Sequence, residues 1–553
     1  MRHLRRLVGF RGPRYERLTP LTGVSNGKAV CRAEHSAMSA HAFALLFVAL
    51  LAAAPGGASA MLSGAAVSDG AGGVPSIDAL RERIVSARGT LPPRERVTVT
   101  YTSGGVTGKR VTLRDGNDDR IDVTYGPLMS SSGVYHKQAW RQNDNGETVL
   151  EQPDPGNATR EVTTTTVTHV TAPLDAFVIA TLNAAGDGSK EYVDPRSYRI
   201  VRFEQIRPTG TTVSAYDDFR TVAGYTRAWH WTVRDGHPEN DTEYRVAGDD
   251  PSVAAPNLAI PDSRREFVEF PAGKTTVDLP VREDRGKFIV RVEAGTRGLD
   301  LLLDTGASGI VLDDDIVRGL GLVHYGSISN PANAGRYTTT SAIVPHMSVG
   351  DLQMHDVVVR SIPHLDAGGG DYKVVGLLGF DFIGALALTL DYEHGRVTAT
   401  RPDAFAAPTG STVYAIPVRL GTQRPLTDVT LDGALGERFL IDTGASGTML
   451  IFDYFARRHP EALRSGSFVG NPLRFHGVGG TFDTKPYRVG AVRVGNVSFK
   501  DFTVYRVMSG QAYSGNEDGV IGTDLLQLFT LYTDYGNSML YLVPNGAGRA
   551  ARS

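Results

Sequence analysis

Short alternations of apolar and polar residues dominate the chain, and stretches with long helical periodicity are few. Lys287-Phe-Ile-Val-Arg-Val292 and Gly490-Ala-Val-Arg-Val494 alternate with the two-residue period of half-buried strands. Successive strand patterns, punctuated by Gly, Asp and Asn, also fill Ser76 to Val246, after an amphipathic helix at Ile77–Ala87. Short helices are expected near Asp313–Leu320 and near Phe452–Leu463. A Pro- and Ala-rich run, Asp249–Pro261, reads as a linker. The pattern predicts a mainly β protein.

One apolar run has a different meaning. Ala42–Ala54 falls within the roughly 7–15 residues of a secretory h-region and is too short to span a bilayer. Ala58-Ser59-Ala60 supplies the small residues that a signal peptidase reads. The arginine-rich stretch Met1–Arg32 is long for an n-region, and Met38 is an alternative start. Export to the periplasm or the exterior is the expectation, with no integral membrane span after cleavage.

A chain of 553 residues exceeds what one hydrophobic core supports. The expected divisions are a basic extension and signal peptide (1–60), an N-terminal curved β-sheet unit (61–250), a linker (251–264), two similar lobes (265–403 and 404–546) and a tail (547–553). A net charge of −3 gives no reason to expect nucleic acid as a partner. The single cysteine, Cys31, forbids an intrachain disulfide and any zinc site built on paired cysteines. The 14 histidines are scattered and no His-Glu-x-x-His segment occurs, so neither a metal nor another cofactor is expected.

The lobes are inferred from an internal repeat. Leu301–Leu312, LLLDTGASGIVL, returns as FLIDTGASGTML at Phe439–Leu450. Leu279-Pro280-Val281-Arg282 precedes the first copy as Ile416-Pro417-Val418-Arg419 precedes the second. Downstream, Gly335–Val359 lies over Gly480–Val504 without a gap. Gly376-Leu-Leu-Gly379-Phe-Asp381 then matches Gly519-Val-Ile-Gly522-Thr-Asp524, and Asp391-Tyr392 matches Asp534-Tyr535. Chance similarity does not preserve that order over a unit of about 135 residues.

The repeated segment carries chemistry. Asp304 and Asp442 each follow a buried-strand pattern and enter a tight turn that Gly306 and Gly444 permit. The hydroxyls of Thr305 and Thr443 can bond across a two-fold interface and lock the two turns together. Two carboxylates about 3 Å apart cannot both ionise, so the pair shares a proton. One then serves as general base toward water and the other as general acid toward a carbonyl.

With these motifs the repeats resemble the lobes of pepsin-type and retropepsin-type aspartic proteases, over about Phe270 to Pro544. The resemblance implies two closed β lobes, catalytic aspartates at Asp304 and Asp442, and a polypeptide substrate. It also implies a hydrophobic-hydrophobic-Gly element beside each turn, which Leu377-Leu378-Gly379 and Val520-Ile521-Gly522 supply. Ser308 and Ser446 stand where the pepsin-like pattern places a residue supporting the turn. Ala307 and Ala445 stand where pepsins carry a hydroxyl, so the pair loses a donor that favours its charged form. Activity is therefore expected at weakly acidic to neutral pH. Tyr337 and Phe482 are candidate flap aromatics, with packing in the core as the other reading. The lobes pair within one chain, or across a homodimer.

The N-terminal unit resembles the curved antiparallel sheet of periplasmic lipoprotein-sorting factors, through Gly133–Trp140, Tyr192–Pro195 and Asp218–Gly224. That resemblance implies a concave sheet covered by a helix and brings no catalytic residues, which suits a targeting or substrate-presenting module. The alternative function is a non-catalytic peptide- or lipid-binding protein that retains the lobes. Asp313-Asp-Asp315 lacks calcium-loop spacing and reads as a helix start. Gly477–Gly480 lacks the surroundings of a dinucleotide loop.

Overall fold

Ser76 is extended, and its hydroxyl accepts from the amide of Ala79 at 3.3 Å, which starts the helix Ile77–Arg88. The helix ends at Gly89, whose φ of 78° a side chain would strain. Leu80 and Ile84 bury themselves against Phe177, Ile179 and Val193 of the sheet beneath. The computed structural model describes residues 73–550, apart from 152–162, 184–185, 208–209, 265–266, 332–335, 366–372, 411, 465, 478–479 and 509–516. The expected leader therefore lies outside the described residues. Among those described, no helix is long and apolar enough to cross a membrane.

The curved N-terminal sheet has 13 strands arranged as two antiparallel meanders. They join where the first strand, Arg94–Ser103, pairs with the last, Thr242–Asp250. Apolar positions on one face collect into a core of Val97, Val99, Tyr216, Trp231 and Tyr244, with the Trp231 and Tyr244 rings stacked at 4.8 Å. At one edge, strands Gln138–Gln142 and Thr148–Leu150 form a hairpin whose loop reaches the first lobe.

Each repeat closes on itself in the same way. In lobe 1, Arg297–Leu303 runs parallel to Gly376–Leu378, which pairs antiparallel with Val311–Asp313. In lobe 2, Ala434–Ile441, Gly519–Ile521 and Met449–Ile451 repeat those relations. Pairing of Glu293 with Ser348, and of Val429 with Val494, closes the two sheets. A six-stranded sheet drawn from both lobes ties them together, with Leu390 opposite Leu531 at its centre. These cores fill the interior with aliphatic residues at or near zero exposure, such as Val290, Leu301, Val429 and Leu440.

The expected helix starts are real but short. Asp313 caps Asp314–Gly319 by accepting from the amide of Asp315 at 2.9 Å. In lobe 2, Asp453–Arg458 stops at His459, and Pro460 begins a separate 3-10 turn, because proline cannot continue the helical ladder. Lobe 2 also carries Asp518 where lobe 1 has Val375. The buried Asp518 carboxylate accepts from the amide of Arg438 and from the guanidinium of Arg458, both at 3.1 Å. It thereby pins the helix of lobe 2, whose N-cap position is Phe452 and offers no side-chain cap.

Candidate active site

Asp304 and Asp442 are the first residues beyond the strands Arg297–Leu303 and Ala434–Ile441. Their amides donate to the carbonyls of Leu378 at 3.1 Å and Ile521 at 2.9 Å. Each aspartate is thus hung from the hydrophobic-hydrophobic-Gly strand beside it. Gly379 and Gly522 must be glycine for this packing: a Cβ on Gly379 would lie 2.5 Å from the Ala307 carbonyl oxygen, and one on Gly522 2.5 Å from that of Gly447.

The two turns meet through their threonines. Thr305 Oγ1 donates to the Ile441 carbonyl at 2.7 Å and accepts from the Thr443 amide at 3.0 Å. Thr443 Oγ1 donates to the Leu303 carbonyl at 2.8 Å and accepts from the Thr305 amide at 3.1 Å. All four bonds are buried, and they make the turns of one chain a single unit.

The carboxyl groups face each other across this grip. A Cβ on Gly306 would stand 2.5 Å from Asp442 Oδ2, and one on Gly444 2.7 Å from Asp304 Cγ. Burial, the Asp442 charge and a hydrogen bond between the two side chains hold the Asp304 carboxyl well above the ordinary carboxylate range. The Gly306 amide and Lys287 oppose that rise. The donors are unequal. Asp304 Oδ1 accepts from Gly306 alone, at 2.8 Å, whereas Asp442 Oδ1 accepts from Gly444 at 2.7 Å and Ala445 at 3.0 Å. Negative charge is better stabilised on Asp442, and the shared proton on Asp304.

The other sequence candidates fall into two groups. Tyr337 and Phe482 lie at matching places on hairpins, paired with Asn330 and Phe475 just before each turn. Tyr337 packs in a cluster that includes Ala307, and Phe482 in one that includes Ala445. Phe482 is buried and stacks on Phe475 at 5.7 Å, so its ring belongs to the lobe core. Ser308 and Ser446 do not brace the turns: among the described residues no hydrogen bond involves either hydroxyl, and Ser446 is exposed.

In the sequence Asp381 stands only as part of a repeat, with no local signal of the contacts it makes. Asp381 is buried, and its Oδ2 accepts from the Ile310 amide at 3.1 Å. Its Oδ1 accepts from Asn143 Nδ2 of the N-terminal sheet at 2.7 Å. Burial raises its carboxyl to about 6. Arg360, on the strand Leu352–Ile362, donates to Asp144 at 2.6 Å. Among the described residues, no group of three or more His, Cys, Asp or Glu could hold a metal ion.

Residues 289–382 and 427–525 each match the family described as aspartyl protease. The two matches contain Asp304 with Gly379 and Asp442 with Gly522, so each repeat is similar to that family over the whole of its turn machinery. No curated protein matches the chain.

Proposed function

We propose that the chain is an aspartic endopeptidase, hydrolysing polypeptides with water activated between Asp304 and Asp442. The observation that carries this reading is the reciprocal seat of the carboxyl groups, each filling the space beside the other turn's glycine. Asp442, ionised and held by two amides, takes a proton from water as the oxygen attacks the scissile carbonyl carbon. Asp304, protonated, gives its proton to the carbonyl oxygen, so the tetrahedral intermediate forms uncharged. On collapse Asp442 returns a proton to the departing nitrogen, and Asp304 recovers one from the breaking diol. The pair ends as it began, and no cofactor is required by this cycle. The apolar run Ala42–Ala54 supports export, which places the substrate outside the cytoplasm.

The test is turnover of casein or a mixed peptide pool by wild type, Asp304→Asn and Asp442→Asn between pH 3 and 8. Cleavage by wild type, blocked by a statine-type mimic of the intermediate and lost in both variants, is the expected result. Binding of peptides without turnover by wild type would favour the non-catalytic reading instead.

A further inference from the structure

The loop between strands Gln138–Gln142 and Thr148–Leu150 is shaped before it meets the lobe. Asn143 Oδ1 accepts from the amides of Asn145 at 3.1 Å and Glu147 at 2.9 Å, and the Gly146 amide donates to the Asn143 carbonyl at 3.0 Å. Gly146 has a φ of 84°, which a side chain would strain. The loop then docks on lobe 1 as a strand would. Asn145 is buried, donates to the Val358 carbonyl at 2.9 Å and accepts from the Val358 amide at 2.8 Å. Asn143 holds Asp381, and Asp144 holds Arg360.

This docking borders a partly open cavity of about 110 Å³. Its walls come from three units: Asn143–Asn145 from the N-terminal sheet, Ser308 and Tyr337 from lobe 1, and Gln423 from lobe 2. Ser308 lies four residues beyond Asp304, so the cavity adjoins the proposed catalytic turn. Arg360 pairs with Asp144, and both oxygens of Asp381 are taken by neutral donors, Oδ1 by Asn143 and Oδ2 by the Ile310 amide. Among the described residues, no hydrogen bond involves the Ser308 hydroxyl, the Tyr337 hydroxyl or the Gln423 side-chain amide. Lobe 2 differs at the matching positions. Asp524, which matches Asp381, is exposed, Tyr505 stands where lobe 1 has Arg360, and no hydrogen bond from the N-terminal sheet reaches either among the described residues.

We propose that the Asn143–Gly146 loop is a wall of the substrate cleft and makes the cavity beside Ser308 a specificity pocket for an uncharged, hydrogen-bonding side chain: Asn, Gln, Ser or Thr. This rests on the peptidase reading above. A primary amide both donates and accepts, as the Ser308, Tyr337 and Gln423 groups require. An apolar side chain would strip water from those groups and leave them unpaired. An anionic one would face Asp144 and Asp381 with only Arg360 to offset them, and a cationic one would find the Asp381 oxygens already taken by Asn143 and Ile310. The two halves of the cleft therefore select differently, although the catalytic turns are identical in sequence.

The experiment uses the full-length protein and peptides that differ at one side chain, Gln, Ala, Leu or Glu, at each position around the cleaved bond. Wild type should prefer Gln over Ala or Leu by about tenfold or more at one position. Asn145→Ala, which undocks the loop, and Ser308→Ala, which leaves the docking intact, should each shrink that ratio toward one while Leu-containing peptides are still cleaved. Calorimetric binding of the same peptides, with the scissile amide replaced by a hydroxyethylene group, should give the same order of preference. Cleavage with no such preference, or ratios unchanged within about twofold in both variants, would overturn the pocket and leave the peptidase reading standing. Absence of cleavage would sink the peptidase reading, and the binding series still decides the pocket: equal affinity for the four peptides rejects it.

Discussion

The Asp442 carboxylate occupies the place a methyl group on Gly306 would need, with Oδ2 2.5 Å from that position. The glycine is thus required by its partner turn as much as by its own. Gly306→Ala should keep the lobe folded, since the clash is with a side chain at the cleft, and should push the two carboxyl groups apart. A shift of about 1 Å in a reacting group costs on the order of 100-fold, so kcat/KM should fall by about that factor with little change in Tm. Retained activity would mean the pair tolerates a different spacing from the one seen.

Removing either acid should be costlier. Asp304→Asn and Asp442→Asn each delete one of two proton-transfer groups, and each should lower kcat by about 10²–10⁴-fold. The two losses should not add in the double variant, because the carboxyls act as one unit. Steady-state kinetics of the three variants, with circular dichroism to confirm folding, make the comparison.

The pH profile follows from the unequal donors. Catalysis needs Asp304 protonated, and its carboxyl is raised by burial and by Asp442, so the alkaline limb lies above the ordinary Asp range near 3.8. Activity should peak at weakly acidic to neutral pH, with kcat/KM falling as pH rises through the Asp304 transition. An optimum below about 3, as for a pair titrating like pepsin's, would contradict the assignment.

The two turns were legible in the sequence because their geometry is local and written twice. Asp-Thr-Gly sets the turn, the apolar triplet before it sets the strand, and Gly379 and Gly522 recur at similar spacing. Even the threonine grip follows from a hydroxyl beside each acid. The docking loop was not legible. Asn143-Asp-Asn-Gly146 has the composition of any tight hairpin turn, and its partner Asp381 lies 238 positions away, so nothing local signals the contact. Phe482 was ambiguous for a related reason, since a flap aromatic and a core aromatic share the same alternation; only the stacked Phe475 separates them.

The threonine grip offers a stability test separate from turnover. Thr305→Val keeps the volume but leaves the Ile441 carbonyl and the Thr443 amide without their buried partner. Unmet buried groups of this kind cost about 1–3 kcal/mol each, so the variant should lose about 2–5 kcal/mol in denaturant unfolding. Thr305→Ser retains the hydroxyl and should recover most of that loss. Equal stability of Val and Ser variants would show that the grip contributes packing alone.

The contact between the N-terminal sheet and lobe 1 carries a pH signature of its own. Burial, and next the nearby Asp381 charge, raise Glu147 from its ordinary 4.5 to about 8, against the opposing hydrogen bond of Ser263, while burial raises Asp381 from 3.8 to about 6. Asp144 and Arg360 face them as a matched ion pair. Both carboxyls bind a proton more tightly in the folded chain than in the unfolded one. Their contribution to stability is therefore fully present below about pH 4 and is lost as pH rises, through 6 for Asp381 and through 8 for Glu147. Asp304 adds a slope of the same sign, so the wild-type profile alone does not isolate the interface. Glu147→Gln does, because it keeps the shape of the side chain and removes one titration. Relative to wild type, Glu147→Gln should be nearly neutral at about pH 4 and gain a few degrees of Tm by about pH 8. A constant Tm difference across that range would mean that Glu147 binds its proton no more tightly in the folded chain than in the unfolded one.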